Sequence, residues 1–320
     1  MLNVNNQITK QATVFTLLLT LFFITSCKTE ATKEITVIKP KKELIKHTVD
    51  SDGHPMAVWE KRVENPKGII LFVHGRTWSA VPDFDLQVEG EDLSLMDGML
   101  AEGYTSYAID LRGYGETPRD STEWLTPNVA AKDIINVLHW ISKQHNNKKV
   151  HLFGWSMGST SSLLATQQNS EDIASLTVFG FWKDMDYQLP ENSKSIRLRK
   201  TVNTAKNAAS DFIVPGSISK KAIDTYVRMA LESDPIRVDW KNMHEFNRID
   251  PSLITTPTLI LQGEFDPIGP TAVQTKLFTR LKTADKSWVV ISGGDHAAFM
   301  ETPRNHFIST FAAFIKRFNN

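Results

Sequence analysis

At 320 residues with 41% hydrophobic content, the chain is long and apolar enough to bury one large core or two modest ones, which excludes a disordered or fibrous polymer. Lysine plus arginine (36) balance aspartate plus glutamate (36), a formal charge of +0. No long-range field would draw such a chain to nucleic acid, so the expected partner is small or neutral.

The first 26 residues read as a signal peptide, with Lys10 before an apolar run from Val14 to Ile24 that is too short to span a bilayer. Ile24-Thr25-Ser26-Cys27 resembles a bacterial lipobox, in which the cysteine is lipidated and becomes the new N-terminus. Cys27 is the only cysteine of the chain, so no internal disulfide competes for it. The alternative is an ordinary signal peptide cut nearby, which leaves an unused thiol. From residue 27 to 42 the chain is rich in threonine, lysine and glutamate with no apolar period, and reads as a solvated tether or a sorting signal. The expectation is an exported lipoprotein of the cell envelope, held to a membrane by acyl chains such as palmitate.

From residue 43 onward a folded domain is expected. Glu43–Val49 and Met56–Val63 flank Asp52-Gly53, a hairpin signature. Continuously apolar runs follow at Gly68–Val73, Thr105–Ile109, Val150–Phe153, Ser175–Phe179, Thr258–Leu261 and Trp288–Ile291. Such runs belong to strands covered on both faces. Helical periodicity lies between them, as in Val129–Trp140. This alternation predicts an α/β fold with a mostly parallel central sheet flanked by helices. The stretch from about 183 to 247 has no strand-like run but carries helix-compatible pieces at Ile196–Ala209 and Lys220–Leu231, punctuated by Pro190, Pro215-Gly216 and Pro235. It is expected to form a helical cap over the carboxyl ends of the strands, where ligands bind in open sheets.

Gly154-Trp155-Ser156-Met157-Gly158 falls between a strand and a helical segment. A serine raised on that tight turn adopts strained backbone angles, and flanking glycines remove the β-carbons that would clash. His74-Gly75-Arg76 follows another strand, and Asp110-Leu111-Arg112-Gly113-Tyr114-Gly115-Glu116-Thr117 a third. Together these segments resemble the α/β-hydrolase family from about Gly68 to Phe314. The resemblance implies a serine hydrolase with Ser156 as nucleophile and the backbone N–H groups of Arg76 and Met157 as oxyanion donors, each contributing about 3 kcal/mol. The loop from Asp110 is read as structural, because its glycine spacing is wrong for a dinucleotide site and no helix opens on it.

A serine hydroxyl needs an imidazole held in one tautomer by a carboxylate. The family order of serine, acid and histidine implies Asp266, in Gln262-Gly263-Glu264-Phe265-Asp266-Pro267 after a strand, and His296, in Gly293-Gly294-Asp295-His296 after the last strand. Glu264 is the local rival acid, and His74 is read as support for the oxyanion loop. His244-Glu245 has no second histidine one turn later and there is no cysteine cluster, so neither metal nor cofactor is expected. Trp78, Trp155, Phe181 and Trp182 fall at strand ends and are candidates for an apolar pocket wall, with core packing as the alternative for each. The resemblance implies a carboxylesterase or monoacylglycerol-lipase-like enzyme, and the expected substrate is a small-molecule carboxylic ester. A serine aminopeptidase-like peptidase is the alternative, with Asp184, Asp186, Glu191 and Glu232 of the cap as candidate acids for a substrate amine. A catalytically silent ligand-binding lipoprotein is the alternative from another class.

Overall fold

A computed structural model describes residues 43–192 and 196–319. The expected signal peptide, Cys27 and the tether to residue 42 lie outside the described residues, as do residues 193–195 within the expected cap. Among the described residues no helix is long and apolar enough to cross a membrane.

The chain runs β1 (Ile45–Ser51), β2 (His54–Lys61), β3 (Ile69–Val73), α1 (Ala80–Phe84), α2 (Leu95–Ala101), β4 (Thr105–Ile109), β5 (Trp124–Leu125), α3 (Pro127–Gln144), β6 (Val150–Trp155), α4 (Met157–Gln168) and β7 (Ile173–Phe179). It continues through α5 (Ala205–Ala209), α6 (Lys220–Ser233), β8 (Asp239–Trp240), β9 (Thr258–Gly263), α7 (Thr271–Arg280), β10 (Lys286–Ile291) and α8 (Arg304–Ile315). Eight strands form one sheet in the order β1-β2-β4-β3-β6-β7-β9-β10. β1 and β2 are antiparallel, as are β2 and β4, and every later pairing is parallel.

The β1–β2 hairpin closes through Asp52 and Gly53, both with positive φ (52° and 82°), the geometry a two-residue turn needs to match strand twist. The interior parallel strands β3, β4, β6, β7 and β9 are buried along nearly their whole length because both faces are covered, whereas β10, at the edge of the sheet, is only partly buried and exposes Val290. In β3, Ile69, Leu71 and Val73 point into the core shared with α3 and α4, whereas Ile70 and Phe72 point into the one shared with α2 and α8. Phe153 of β6 lies in the second core with Phe72, Phe84, Phe307 and Phe311 around its ring. α3 starts where Thr126 accepts the Val129 N–H and Pro127 takes the first helical position.

Between β7 and β9 the excursion carries α5 and α6, the latter capped by the Ser219 side chain. It also contains β8, which pairs in parallel with β5. Two residues are too short for any periodicity, so the sequence gives no strand signal there. Asp295 fastens the excursion to the loop after β10, its Oδ2 accepting the Ile213 and Val214 N–H groups at 2.6 and 2.7 Å.

Candidate functional site

The strand β6 ends in a turn whose apex is Ser156, at φ 55° and ψ −118°. A non-glycine residue in that region stores about 1–3 kcal/mol of strain, so the surroundings must enforce it. They do so through the Ser156 N–H, which donates to Phe179 O at 2.8 Å, and through close backbone approach on both sides. A β-carbon on Gly154 would lie 2.3 Å from Gly158 O, and one on Gly158 would lie 2.3 Å from Val73 O. Both flanking glycines are thus sterically required, and Ser156 opens directly onto the N-terminus of α4, whose partial positive charge favours an anion.

The loop after β3 faces this turn. Ser156 Cβ and Oγ would lie 3.3 and 3.8 Å from a β-carbon built on Gly75. His74 is fully buried; its Nε2 accepts the Leu111 N–H at 3.0 Å, which leaves the proton on Nδ1 to donate to Gly75 O at 2.7 Å. Burial lowers its pKa to about 4, so the ring is neutral and serves as a fixed strut. The Tyr114 hydroxyl donates to Arg76 O and itself accepts from Trp240 Nε1. Among the described residues, neither the Arg76 nor the Met157 N–H is engaged in a hydrogen bond, and both residues line the cavity around Ser156.

Asp266 and His296 arrive from the loops after β9 and β10. Asp266 Oδ1 accepts the Ile268 and Gly269 N–H groups at 2.8 and 3.2 Å, and this orients Oδ2 toward His296 Nδ1 at 3.0 Å. Both side chains are buried. Trp155 Nε1 donates to His296 O at 2.7 Å, and the two rings lie 5.3 Å apart. With Nδ1 bound to the carboxylate, Nε2 is the nitrogen left for other partners. Ser156 and His296 line one cavity, and no Ser156–His296 hydrogen bond is formed among the described residues; such contacts commonly tighten only when substrate is bound. Glu264 lies apart from this group, with Oε2 accepting from Ser292 Oγ and Gly293 N on the surface.

The cavity has a volume of about 470 Å³, and Trp78, Trp155 and Trp182 line it. Phe181 does not: it is wholly buried in the core, with its carbonyl accepting from Gln274 Nε2 at 2.7 Å. Phe181 and Trp182 both lie past the end of β7, where Gly180 at φ +62° turns the chain off the strand path, so position at a strand end does not tell which of them faces the cavity. Gly180, at φ +62°, packs against the histidine, where a β-carbon would lie 2.6 Å from His296 Cε1. Nothing in the local pattern around Gly180 signals that role.

Of the four cap acids considered for an amine, none lines the cavity. Asp184 and Asp186 are paired with Lys276 and Arg280, and Glu232 with Arg228; Glu191 is exposed. Two other carboxylates do line it, Asp83 from α1 and Asp211 from the segment after α5. They lie 128 residues apart (211 − 83) in segments without a motif, so the sequence pattern does not single them out. Burial and the neighbouring Asp211 charge push the Asp83 carboxyl well up, and burial pushes Asp211 up to about 6. Among the described residues no cluster of histidine, cysteine, aspartate and glutamate could hold a metal ion.

Residues 64–303 match the family of serine aminopeptidases, S33. No curated protein matches the chain in sequence. Among solved structures it is similar to a thermophilic esterase from Thermogutta terrifontis (18% identity, TM-score 0.59, covering 87% of this chain and 100% of that one). It is also similar to a bacterial membrane phospholipase A described as a virulence factor (18% identity, TM-score 0.61, 87% of each chain). A serine hydrolase involved in carbazole degradation is a third (18% identity, TM-score 0.60, 86% of this chain and 100% of that one). At such identities the likeness speaks for the fold, while the family match covers most of the chain: the protein belongs to the serine aminopeptidase (S33) family and is a hydrolase of the α/β-hydrolase fold.

Proposed function

We propose that the protein cleaves carboxylic esters through an acyl-enzyme on Ser156. The observation that carries this reading is the ordered pair of His296 Nδ1 and Asp266 Oδ2 at 3.0 Å, with His296 lining the same cavity as a serine on a strained strand-to-helix turn. Ser156 Oγ attacks the ester carbonyl while His296 Nε2 takes its proton. The tetrahedral oxyanion is held by the Arg76 and Met157 N–H groups, which cost no reorganisation because both loops are already braced. His296 returns the proton to the leaving alcohol, then activates a water that releases the acid and regenerates the serine. Asp266 fixes the tautomer and stabilises the imidazolium.

The tryptophan-lined wall favours an apolar acyl or aryl group. The four cap acids named for the peptidase alternative are absent from the cavity wall, but Asp83 and Asp211 line it, so the cavity itself offers carboxylates to an amine-bearing substrate. At the N-terminus, the proposal is export and lipidation at Cys27, which tethers the domain to a membrane of the cell envelope; mass spectrometry of the membrane-extracted protein for acyl groups on Cys27 tests it.

For the chemistry, a fluorophosphonate probe is expected to label wild type at Ser156 and leave Ser156→Ala unlabelled. Turnover of p-nitrophenyl acyl esters set beside aminoacyl-anilides separates esterase from peptidase. A folded wild-type protein that is inert to the probe would make it a silent binder and overturn the reading.

A further inference from the structure

Asp83, Tyr226 and Asp211 form one buried polar group in the wall of the cavity. The Tyr226 hydroxyl lies 2.9 Å from Asp83 Oδ1 and 3.3 Å from Asp211 Oδ2, and Trp78 Nε1 donates to Asp211 Oδ2 at 3.0 Å. Asp83 is 1% exposed, and its Oδ2 has no hydrogen-bond partner. Asp211 is partly exposed, and its Oδ1 makes no hydrogen bond among the described residues. No lysine, arginine or histidine among those residues donates to either carboxylate. Buried carboxylates are ordinarily paired with a cation or neutralised by a proton. The Tyr226 hydroxyl donates to one carboxylate at a time and Trp78 Nε1 donates to Asp211, while burial and the Asp211 charge favour a proton on Asp83 in place of a counter-ion.

The position is built rather than incidental. Asp211 enters the cavity because the next two residues but one are bound to Asp295, the neighbour of His296, while Tyr226 is held in α6 with no exposure. Two carboxylates and a phenol are too few donors for a metal ion, but they suit an ammonium group, which offers hydrogen and charge together. Asp211 lies just before Ile213 and Val214, whose N–H groups bind Asp295 next to His296, the group proposed to protonate the leaving oxygen. Asp211 is thereby assigned to the side of the cavity from which the alcohol departs.

We infer that Asp83 and Asp211, bridged by Tyr226, are a specificity site for a protonated amine on the leaving alcohol, so that the preferred substrates are esters of amino-alcohols. This rests on the ester-hydrolase reading above. Binding of the ammonium favours both carboxylates in their charged form, and a proton held by Asp83 leaves to solvent. The groups facing Asp211 are Tyr226 from α6, Asp83 from α1, Trp78 from the oxyanion loop, and Asp295 and His296 from the loop after β10. With Asp211 raised to about 6, the selectivity grows as the pH climbs through that value.

The test compares 2-(dimethylamino)ethyl butyrate with its neutral isostere 3-methylbutyl butyrate at pH 7.5. Wild type is expected to favour the cationic ester about tenfold or more in kcat/KM, because a site built for a hydrogen-bonding group rejects its apolar analogue. In Asp211→Asn and in Tyr226→Phe that ratio should fall toward unity. Equal rates in wild type, or a preference that survives both substitutions, would overturn the inference. A preference for a cation on the acyl side instead, read with p-nitrophenyl 6-aminohexanoate against the hexanoate, would overturn the assignment to the alcohol. If no ester is turned over, the ester-hydrolase reading fails, and binding decides the site by itself. A rise in Tm with millimolar 2-(dimethylamino)ethanol but not 3-methylbutanol, lost in Asp211→Asn, upholds it, and no difference between the two alcohols refutes it.

Discussion

Gly180→Ala is the substitution through which the proposed triad is most directly challenged. The residue lies just past β7 at φ +62°, where a side chain costs about 1–2 kcal/mol in backbone strain alone. The added β-carbon would lie 2.6 Å from His296 Cε1, 2.8 Å from His296 Nδ1 and 3.3 Å from Asp266 Oδ2. Carbon atoms in ordinary contact are about 3.5–4.0 Å apart, so the imidazole must retreat by about 1 Å. That displacement acts on the 3.0 Å bond between Nδ1 and Oδ2 and on the aim of Nε2 toward Ser156. A misplacement of about 1 Å costs about 10²-fold in rate, which sets the expected loss in kcat/KM. Strain is separated from clash by Gly53→Ala, whose φ is +82° but whose β-carbon meets nothing within 4 Å. The control should lose comparable stability and keep its activity. The assay is kcat/KM on a p-nitrophenyl ester together with the Tm of both variants. A folded Gly180→Ala enzyme within about threefold of wild type would show that His296 does not act from its observed position.

Further consequences concern the carboxylate, the oxyanion loop, the core and one ionisable latch. Asp266→Asn keeps the shape of the side chain but no longer selects the Nδ1–H tautomer, and kcat should fall by about 10⁴ with the fold intact by circular dichroism. Tyr114→Phe removes the hydroxyl bound to Arg76 O, a neutral hydrogen bond of about 1 kcal/mol, so kcat should fall about fivefold while KM moves little. Phe153→Ala leaves a hole among four other phenylalanine rings, for which a loss of about 3–5 kcal/mol is expected in urea unfolding. Glu301, pushed up to about 7 by burial, keeps its proton in the folded state where the unfolded chain has lost it, so its contribution to stability declines as the pH rises from its ordinary value toward 7. Glu301→Gln lacks that decline, and its stability relative to wild type should improve by about 1–3 kcal/mol between pH 5 and pH 8. An unchanged difference at the two pH values would exclude the ionisation.

Much of this architecture follows from local chemistry that a linear reading registers. Five of the six apolar runs mark buried strands, where a strand covered on both faces has few polar positions to spare, and the sixth, Trp288–Ile291, falls on the half-buried edge strand β10. The turn through Asp52 and Gly53 is legible because only certain residues tolerate positive φ there. The Gly154–Gly158 segment is legible because its glycines stand where any β-carbon would strike a carbonyl oxygen. The hairpin turn is a constraint between chain neighbours, whereas a β-carbon on Gly158 would strike Val73 O of β3, so that glycine is legible only through its spacing within the motif.

The walls of the cavity are set differently. Whether Phe181 or Trp182 lines the cavity beside Ser156 is decided by how the chain turns at Gly180 beyond β7, and the structure buries Phe181 in the core. Asp83 and Asp211 meet across 128 positions (211 − 83) because α1, α6 and the loop after β10 pack together, and Gly180 matters because His296 folds over it. Sequence alone therefore determined the layered sheet and the strained serine through periodicity and turn sterics, while Asp266 and His296, proposed to act with that serine, came from the resemblance to the α/β-hydrolase family. Tertiary packing decided which polar groups were left buried without a counter-charge in the cavity wall, since desolvation is a property of surroundings that no stretch of chain contains by itself.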